Sequence, residues 1–263
     1  MEYFDLDGAR MAYDLAGAGD TPLVLLHGFA CNRTFLAPQM EHFAAGRLVL
    51  SVDFLGHGDS DKPRRAYRIP GFVAEVARLL EHLELTGVVV VGHSMGGSVA
   101  LELAVGWPER VRAAAALDST LISSVERKTK GLPSLLRSLE EPDYAQAVDR
   151  YFGGMFLPGD GEELKRRVQG IMSSAPRHVL IELTKALIAW DGPPALARLK
   201  RPLLYLGASR PLTSQADMLA ASPWVQYAQA AGTGHFLTLV TPAQVNAVIE
   251  RWLAVLPFAE AES

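Results

Sequence analysis

A serine with a glycine two positions to either side is the first feature of this sequence that can do chemistry. Ser94 follows four valines in "VVVVGHSMGG" and lies between Gly92 and Gly96. The spacing G-x-S-x-G is typical of a sharp turn between a strand and a helix, in which larger flanking residues would collide and the serine hydroxyl is held exposed. The alternative is a glycine-rich turn with an idle serine. It is disfavoured because a strand is predicted before Ser94 and a helix after it.

The elements that must hold this serine alternate along the chain. Apolar runs that end in glycine predict strands, and apolar residues at helical spacing predict helices. We predict an N-terminal hairpin over 1–20, strands within 22–28, 47–58, 88–91, 111–120, 201–207 and 224–230, and helices over 69–85, 95–106 and 241–256. Alanine favours helix in 111–120, but we assign a strand there because the alternation requires one.

Residues 121–195 interrupt this alternation, because they offer helical pieces and no valine-rich strand. The whole pattern predicts a doubly wound α/β sheet with helices on both faces. We expect residues 1–120 and 196–263 to form the core, and residues 121–195 to form a helical cap over the carboxyl ends of the strands. Some apolar cap residues are expected to line a pocket over Ser94, from the set Tyr151, Phe152, Met155, Phe156, Leu187 and Trp190.

Four segments resemble the α/β-hydrolase fold superfamily. They are "LVLLHGF" (23–29), "VDFLGHGDSDKP" (52–63), "VVGHSMGGSVALELA" (90–104) and "GTGHFLTLVTPAQVNAVIERWL" (232–253). The resemblance runs from about residue 20 to the last helix. It implies a mostly parallel, eight-stranded sheet and a serine hydrolase of the esterase or lactonase kind with a helical cap. The four segments are specific for the family and say little about the substrate.

In this family the triad follows the chain order serine, acid, histidine, so the resemblance implies a late histidine as the base. His235, in "GTGHF", is the only histidine after position 178 and follows the last predicted strand. A loop histidine that only caps the backbone is the alternative. His93 is expected to point away from the turn, and His27 and His57 are expected to support loops.

The acid that should orient the histidine is harder to assign. Most relatives carry an aspartate in the loop after the strand found here at 202–206, but this sequence has Arg210 there, and a guanidinium cannot do that job. A minority carry it after the preceding strand, where this sequence has Asp118. Because a buried aspartate needs a partner, we assign Asp118 as the acid. The alternatives are a turn role for Asp118, a Ser–His dyad without an acid, or another carboxylate: Asp217 first, then Glu126 and Asp191.

Two backbone N–H groups must hold the negative charge that develops on the substrate oxygen. The resemblance implies the N–H of Met95, which follows the nucleophile, and the N–H of Phe29, in the loop after "LLHG". Both donors belong to the backbone, so side-chain substitution would leave them in place.

Composition argues against several other function classes. A net charge of −4 with 21% charged residues gives no reason to expect nucleic acid or an anionic membrane as a partner. The basic runs Arg127-Lys128 and 165–167 are expected on solvated helix faces. The seven histidines lack ligand spacing, so we expect neither a metal site nor a cofactor.

The chain shows no targeting signal that would place it outside the cytoplasm. Its first residues lack the basic and apolar regions of a signal peptide, and no apolar stretch approaches the length of a membrane span. Cys31 is the only cysteine, so no intrachain disulfide can form. We expect a cytoplasmic protein with a frayed acidic tail at 259–263, and the oligomeric state is left open.

These features together predict a cofactor-independent hydrolase in which Ser94 attacks an acyl carbonyl and His235 moves the proton. The expected substrate is a small to medium, largely uncharged ester or lactone, because the cap is apolar and shows no basic pocket signature. The same scaffold also supports C–C bond hydrolysis, perhydrolysis and cofactor-free oxygenation, and these stay as alternatives. A non-catalytic small-molecule receptor is the alternative outside enzymes, suggested by the loss of the usual acid.

Overall fold

A sheet of eight strands forms the centre of the computed structural model, which describes residues 1–256. The strands are β1 (Glu2–Leu6), β2 (Ala9–Ala16), β3 (Leu23–Leu26), β4 (Val49–Val52), β5 (Val88–His93), β6 (Val111–Leu117), β7 (Leu203–Gly207) and β8 (Val225–Gln229). Their order across the sheet is β1-β2-β4-β3-β5-β6-β7-β8. β2 is antiparallel to both of its neighbours, and the remaining pairs are parallel. The predicted fold class is confirmed, whereas the acidic tail at 259–263 lies outside the described residues.

Helices connect the parallel strands. They are α1 (Ala37–Ala44), α2 (Ile69–His82), α3 (Met95–Gly106), α4 (Leu132–Ser138), α5 (Tyr144–Gly153), α6 (Glu162–Ser173), α7 (Arg177–Ala189), α8 (Pro193–Arg198), α9 (Gln215–Ala221), α10 (Leu237–Val240) and α11 (Pro242–Val255). Within residues 1–256, no helix combines the length and the apolar character that crossing a membrane requires.

Strand β3 shows why both faces of the sheet are covered. All four of its residues are buried, and alternate side chains belong to two separate apolar layers. Val24 and Leu26 pack in one layer, whereas Leu23 and Leu25 pack in the other. A strand in the middle of a parallel sheet therefore has a continuous apolar sequence, because neither of its faces is exposed to solvent.

Strand β6 is the alanine-rich segment whose local propensity favours a helix. It pairs with β5 on one side and β7 on the other, and Ala113 to Ala116 are fully buried. Helix α3 packs directly against β6, and small side chains let the helix approach the sheet closely. Tertiary packing thus overrides the helix propensity of alanine, as the alternation of elements predicted.

The regular secondary structure between β6 and β7 consists of helices, among them α4 to α8. Phe152 of α5 stacks on Phe29 in the loop after β3, with 5.2 Å between ring centroids. Helix α8 crosses the expected boundary at residue 195 and contacts α3 in the core. The division of the chain into a core and a cap at 121–195 stays a proposal, and we use "cap" for that segment.

Candidate active site

Ser94 occupies a strained turn between β5 and α3. Its φ of 55° and ψ of −117° lie outside the regions that a serine normally adopts. A Cβ at position 92 would lie 2.1 Å from the Gly96 carbonyl oxygen, and a Cβ at position 96 would lie 2.3 Å from the Leu26 carbonyl oxygen. The turn therefore requires glycine at both flanking positions, and the strain is held by the packing around it.

A methyl group at position 92 should be severely destabilising. Gly92→Ala places its Cβ against backbone, which cannot yield as a flexible side chain can, so we expect loss of soluble protein or a strongly lowered melting temperature. Gly106→Ala is the matched control, because open space surrounds position 106 at the end of α3. It should be neutral or stabilise by about 0.5–1 kcal/mol. Equal melting temperatures for the two variants would contradict this reading of the turn.

Ser94, His235 and Asp118 form one continuous hydrogen-bonded line. The Ser94 Oγ lies 3.0 Å from His235 Nε2, and His235 Nδ1 lies 2.7 Å from Asp118 Oδ2. A carboxylate can only accept, so Nδ1 carries the ring proton and Nε2 is left to accept the proton of the serine hydroxyl. This arrangement has the geometry that turns a serine into a nucleophile.

Asp118 is held as a buried carboxylate at the end of β6. Its Oδ1 accepts hydrogen bonds from the backbone N–H groups of Ala208 (3.1 Å) and Leu212 (3.2 Å). Burial raises the pKa of the Asp118 carboxyl, but the hydrogen bond and charge of His235 together with these two N–H groups outweigh it. The net pKa lies below the ordinary value of an aspartate. Asp118 is therefore ionised at neutral pH and can stabilise a protonated His235.

The other acids considered from the sequence are engaged elsewhere. Asp217 accepts a hydrogen bond from the Ser214 hydroxyl at 2.6 Å at the exposed start of α9, where it belongs to the helix cap. Asp191 pairs with Lys128 at 2.7 Å, and Glu126 is exposed. Arg210 is exposed and lines a cavity of about 140 Å³ that also borders Asp118 and His235.

His93 supports the backbone that carries His235. Its side chain is buried, and its Nε2–H donates to the His235 carbonyl oxygen at 2.8 Å. Burial, and after it the neighbouring His235, lowers the pKa of His93 to about 3, so its ring is neutral. The side chain thus does not reach toward the Ser94 hydroxyl, which agrees with the expectation that it points away from the turn.

The loop that contains Phe29 is fixed next to Ser94. A Cβ at Gly28 would lie 3.0 Å from the Ser94 Cβ, so the backbone of this loop borders the serine. Buried and partly buried hydrogen bonds tie the loop to the one after β4. Nε2 of His27 accepts from the Phe54 N–H at 3.2 Å. The carboxylate of Asp53 accepts from the Arg33 N–H at 2.6 Å and from the Arg33 guanidinium.

Met95 is the first residue of α3, directly after Ser94. The first N–H groups of a helix lack partners within the helix and lie at the positive end of its dipole. Sequence reasoning missed the ion pair between Arg33 and Asp53, because neither residue belongs to a motif that indicates such a pair. Their contact follows only from the adjacency of β3 and β4.

Three buried histidines make the fold sensitive to acid. Burial lowers the pKa of His27 to about 4 and that of His93 to about 3, and it takes the pKa of His57 well below its usual value. In the unfolded chain each accepts a proton near pH 6.5. Below that pH the unfolded state therefore binds more protons, and the free energy of unfolding falls as pH decreases. We expect a loss of up to about 1.4 kcal/mol per histidine for each pH unit below about 6.5 and above about pH 4.

Urea unfolding at several pH values between about 7.5 and 4.5 measures the slope of the unfolding free energy against pH. His57→Phe removes one of the three histidines. It should reduce the change of the unfolding free energy with pH by the contribution of one proton, up to about 1.4 kcal/mol per pH unit. A slope for His57→Phe that equals that of the wild type would show that His57 titrates normally in the folded protein.

The cap contacts the loop that carries His235. The His235 N–H donates to the Met155 carbonyl oxygen at 2.9 Å, and the Gly234 N–H donates to the Asp160 carboxylate, 3.1 Å from Oδ2. Phe156 stacks on Phe236 with 4.6 Å between centroids. Asp160 is buried, and the sequence did not single it out, since an acid in "LPGDGEE" resembles any polar turn residue. The position of His235 is thus coupled to the position of the cap.

A small cavity borders Ser94 between the core and the cap. Its volume is about 20 Å³, room for about one water molecule. Leu187 and Trp190 line it, two of the six apolar cap residues from which some were expected to do so. Arg127 also lines it, with its Nε buried. The expectation that Arg127 lies on a solvated helix face was wrong, because the π-helical segment Arg127–Gly131, which leads into α4, brings this side chain to the cavity.

Comparisons with known proteins agree with this geometry. A model of the alpha/beta hydrolase family matches residues 23–248. The 2-(acetamidomethylene)succinate hydrolase of Mesorhizobium japonicum is 25% identical over 255 residues, which cover 90% of each chain. The solved structure described as "Est816 as an N-Acyl homoserine lactone degrading enzyme" is 26% identical, with a TM-score of 0.84 over 95% of this chain and 100% of that one.

The fold alone is also shared at lower identity. The enol-lactonase from Burkholderia xenovorans LB400 is 17% identical, with a TM-score of 0.86 over 96% of this chain and 100% of its own. The family match spans most of the sequence, including the turn at Ser94 and the loop at His235. The chain therefore belongs to the alpha/beta hydrolase family.

Proposed function

We propose that this protein is a serine hydrolase that cleaves a small to medium carboxylic ester or lactone through an acyl-enzyme on Ser94. The observation that carries the proposal is the line of hydrogen bonds from Ser94 through His235 to Asp118, with distances of 3.0 and 2.7 Å. A receptor that only binds a small molecule has no need of a strained serine, a correctly oriented imidazole and a buried carboxylate in one line.

The first half of the reaction acylates Ser94. His235 Nε2 takes the proton of the Ser94 hydroxyl as the oxygen attacks the carbonyl carbon, and the Asp118 carboxylate stabilises the imidazolium that forms. The backbone N–H groups of Phe29 and Met95 hold the negative oxygen of the tetrahedral intermediate. His235 then gives its proton to the leaving alcohol, or to the ring oxygen of a lactone, and the acyl group stays on Ser94.

The second half returns the enzyme to its starting state. A water molecule gives a proton to His235 Nε2 and attacks the acyl carbonyl at the same position. The tetrahedral intermediate collapses, the carboxylic acid leaves, and His235 returns the proton to Ser94 Oγ. No step uses a metal or an organic cofactor, because the attack, the proton transfers and the charge stabilisation are all supplied by these five residues.

The names of the similar proteins support ester and lactone chemistry. One is described as degrading N-acyl homoserine lactones, and another, which shares the fold, is an enol-lactonase. The apolar side chains of Leu132, Leu187 and Trp190 beside Ser94 suit an acyl chain of modest length.

Release of p-nitrophenol from esters of increasing acyl length tests the proposal. We expect saturable turnover with an optimum at short to medium acyl chains, because the cavity beside Ser94 is small. A δ- or γ-lactone opened at a comparable rate would place the protein with lactonases. Failure to turn over any ester or lactone would contradict the proposal. Oxygen uptake, or ring-cleavage products from a C–C bond substrate, would then favour the other reactions of this scaffold.

A further inference from the structure

The cavity beside Ser94 is lined by a cation whose side chain has no partner among the described residues. Arg127 lines this cavity together with Ser94 and apolar side chains that include Leu132 and Trp190. The Arg127 Nε is buried and makes no hydrogen bond. No ion pair within residues 1–256 includes Arg127, and the hydrogen bonds it makes belong to its backbone. Its N–H donates to the Ser124 hydroxyl at 3.2 Å, and its carbonyl oxygen accepts from the Leu132 N–H.

The neighbouring acids are already occupied or exposed. Asp191 pairs with Lys128, the next residue along the chain from Arg127. Glu102 accepts a hydrogen bond from the Trp190 indole at 2.9 Å, so it fixes the wall of the cavity. The described chain therefore supplies no carboxylate to the Arg127 side chain, although acids lie on the elements around it.

A half-buried guanidinium without a partner is unfavourable, because it loses part of its hydration and gains no hydrogen bonds in return. A bound carboxylate would compensate for the lost hydration, since its two oxygens can accept hydrogen bonds from the planar N–H donors of arginine. The cavity holds about 20 Å³ in this conformation, so a bound substrate must displace side chains of its wall. Arg127, in the π-helical segment that leads into α4, is the charged member of that wall.

We propose that Arg127 binds a carboxylate carried by the substrate. The preferred substrate is then an ester or lactone that has a second, non-reacting carboxylate on its acyl or its leaving group. This inference rests on the proposed function and changes its substrate class, because the sequence alone led us to expect a largely uncharged substrate. The role of Arg127 is recognition, and the reacting atoms remain those of Ser94 and His235.

Two pairs of substrates with matched size test this inference. The mono-p-nitrophenyl ester of glutaric acid is compared with its carboxamide, in which the free carboxylate is replaced by an amide. 4-Acetoxybenzoate is compared with 4-acetoxybenzamide, so that the carboxylate lies on the leaving group. We expect kcat/KM to favour the anionic member of at least one pair by about 10- to 100-fold, the effect of hydrogen bonds to a charged group.

Variants of Arg127 show whether this side chain is the cause. Arg127→Gln should bring the ratio of the two kcat/KM values close to one, and Arg127→Lys should restore part of it, because a lysine keeps the charge without the bidentate geometry. Lys130→Gln, which removes an exposed cation three residues away, should leave the ratio unchanged. A variant that merely disturbs packing would lower kcat/KM for the acid and for the amide alike and keep the ratio between them.

Two results would overturn the inference. One is hydrolysis of the acid and the amide with equal kcat/KM in both pairs, and the other is a preference for the acid that survives Arg127→Gln. In either case the proposed hydrolase function would stand. If no ester is hydrolysed at all and Ser94 does not react with a phosphate triester, the proposed function fails, and this inference fails with it.

Discussion

Ser94→Ala should abolish ester hydrolysis, with a drop in kcat of about 10⁴- to 10⁶-fold, the range found when the nucleophile of a serine hydrolase is removed. The loss should be large because, in the proposed mechanism, Ser94, His235 and Asp118 act as one unit and alanine leaves no atom that can form the acyl-enzyme. The measurement is the rate of p-nitrophenol release from the best ester of the acyl series.

The fold of this variant has to be checked separately. The turn at Ser94 has a positive φ, which alanine tolerates about as poorly as serine, so the strain is similar in both proteins. We expect the melting temperature of Ser94→Ala to lie within a few degrees of the wild type. Residual turnover within about tenfold of the wild type, in a correctly folded variant, would exclude Ser94 as the nucleophile.

Asp118→Asn should lower kcat by about 10³- to 10⁴-fold and leave the protein folded. The asparagine oxygen can still accept from the Ala208 and Leu212 N–H groups, which bond to Asp118 Oδ1. Its NH₂ group would instead face His235 Nδ1, the atom that bonds to Asp118 Oδ2. That donor favours the tautomer with the proton on Nε2, which can no longer accept the proton of Ser94.

Asp217→Asn is the matched control for this substitution. Asp217 is an exposed residue at the start of α9, and its change affects only a helix cap, so we expect kcat within about twofold of the wild type. The opposite ranking, with Asp217→Asn inactive and Asp118→Asn active, would assign the acid to the later loop. Equal activity of both variants would favour a Ser–His dyad without an acid.

The turn and its flanking elements could be predicted from the sequence because their signals are local. The valine run, the two glycines and the apolar spacing that follows predicted a helix over 95–106, and α3 spans Met95–Gly106. Strand β6 needed an argument from the alternation of elements, since its alanines favour a helix locally. In both cases a short stretch of sequence carries the periodicity that burial requires.

The position of Asp118 depends on contacts that no short stretch contains. The local sequence "ALDST" fits a turn residue as well as a triad acid. We assigned Asp118 as the acid because position 210, where most relatives carry the aspartate, holds an arginine. Its hydrogen bonds to the later loops come from the order of β6, β7 and β8 in the sheet. Its role in catalysis stays a prediction that the variants above test.

Arg127 shows where sequence reasoning fails in this chain. A pair of basic residues in a polar stretch of sequence indicates a solvated surface, and that inference is usually right. The partial burial of Arg127 follows from how the π-helical segment before α4 packs beside Ser94, which is a tertiary property with no periodic signal. The same holds for Asp160, which ties the cap to the His235 loop.

The most direct test of Ser94 as the nucleophile is mass spectrometry of the enzyme after reaction with diethyl p-nitrophenyl phosphate. Ser94 Oγ should attack phosphorus and release one equivalent of p-nitrophenol, leaving a diethylphosphoryl group that His235 cannot readily remove. We expect a single adduct, on the peptide that contains Ser94, with loss of ester hydrolysis in proportion to labelling. An enzyme that remains active without this adduct, or that carries it on another residue, would contradict the assignment of Ser94 as the nucleophile.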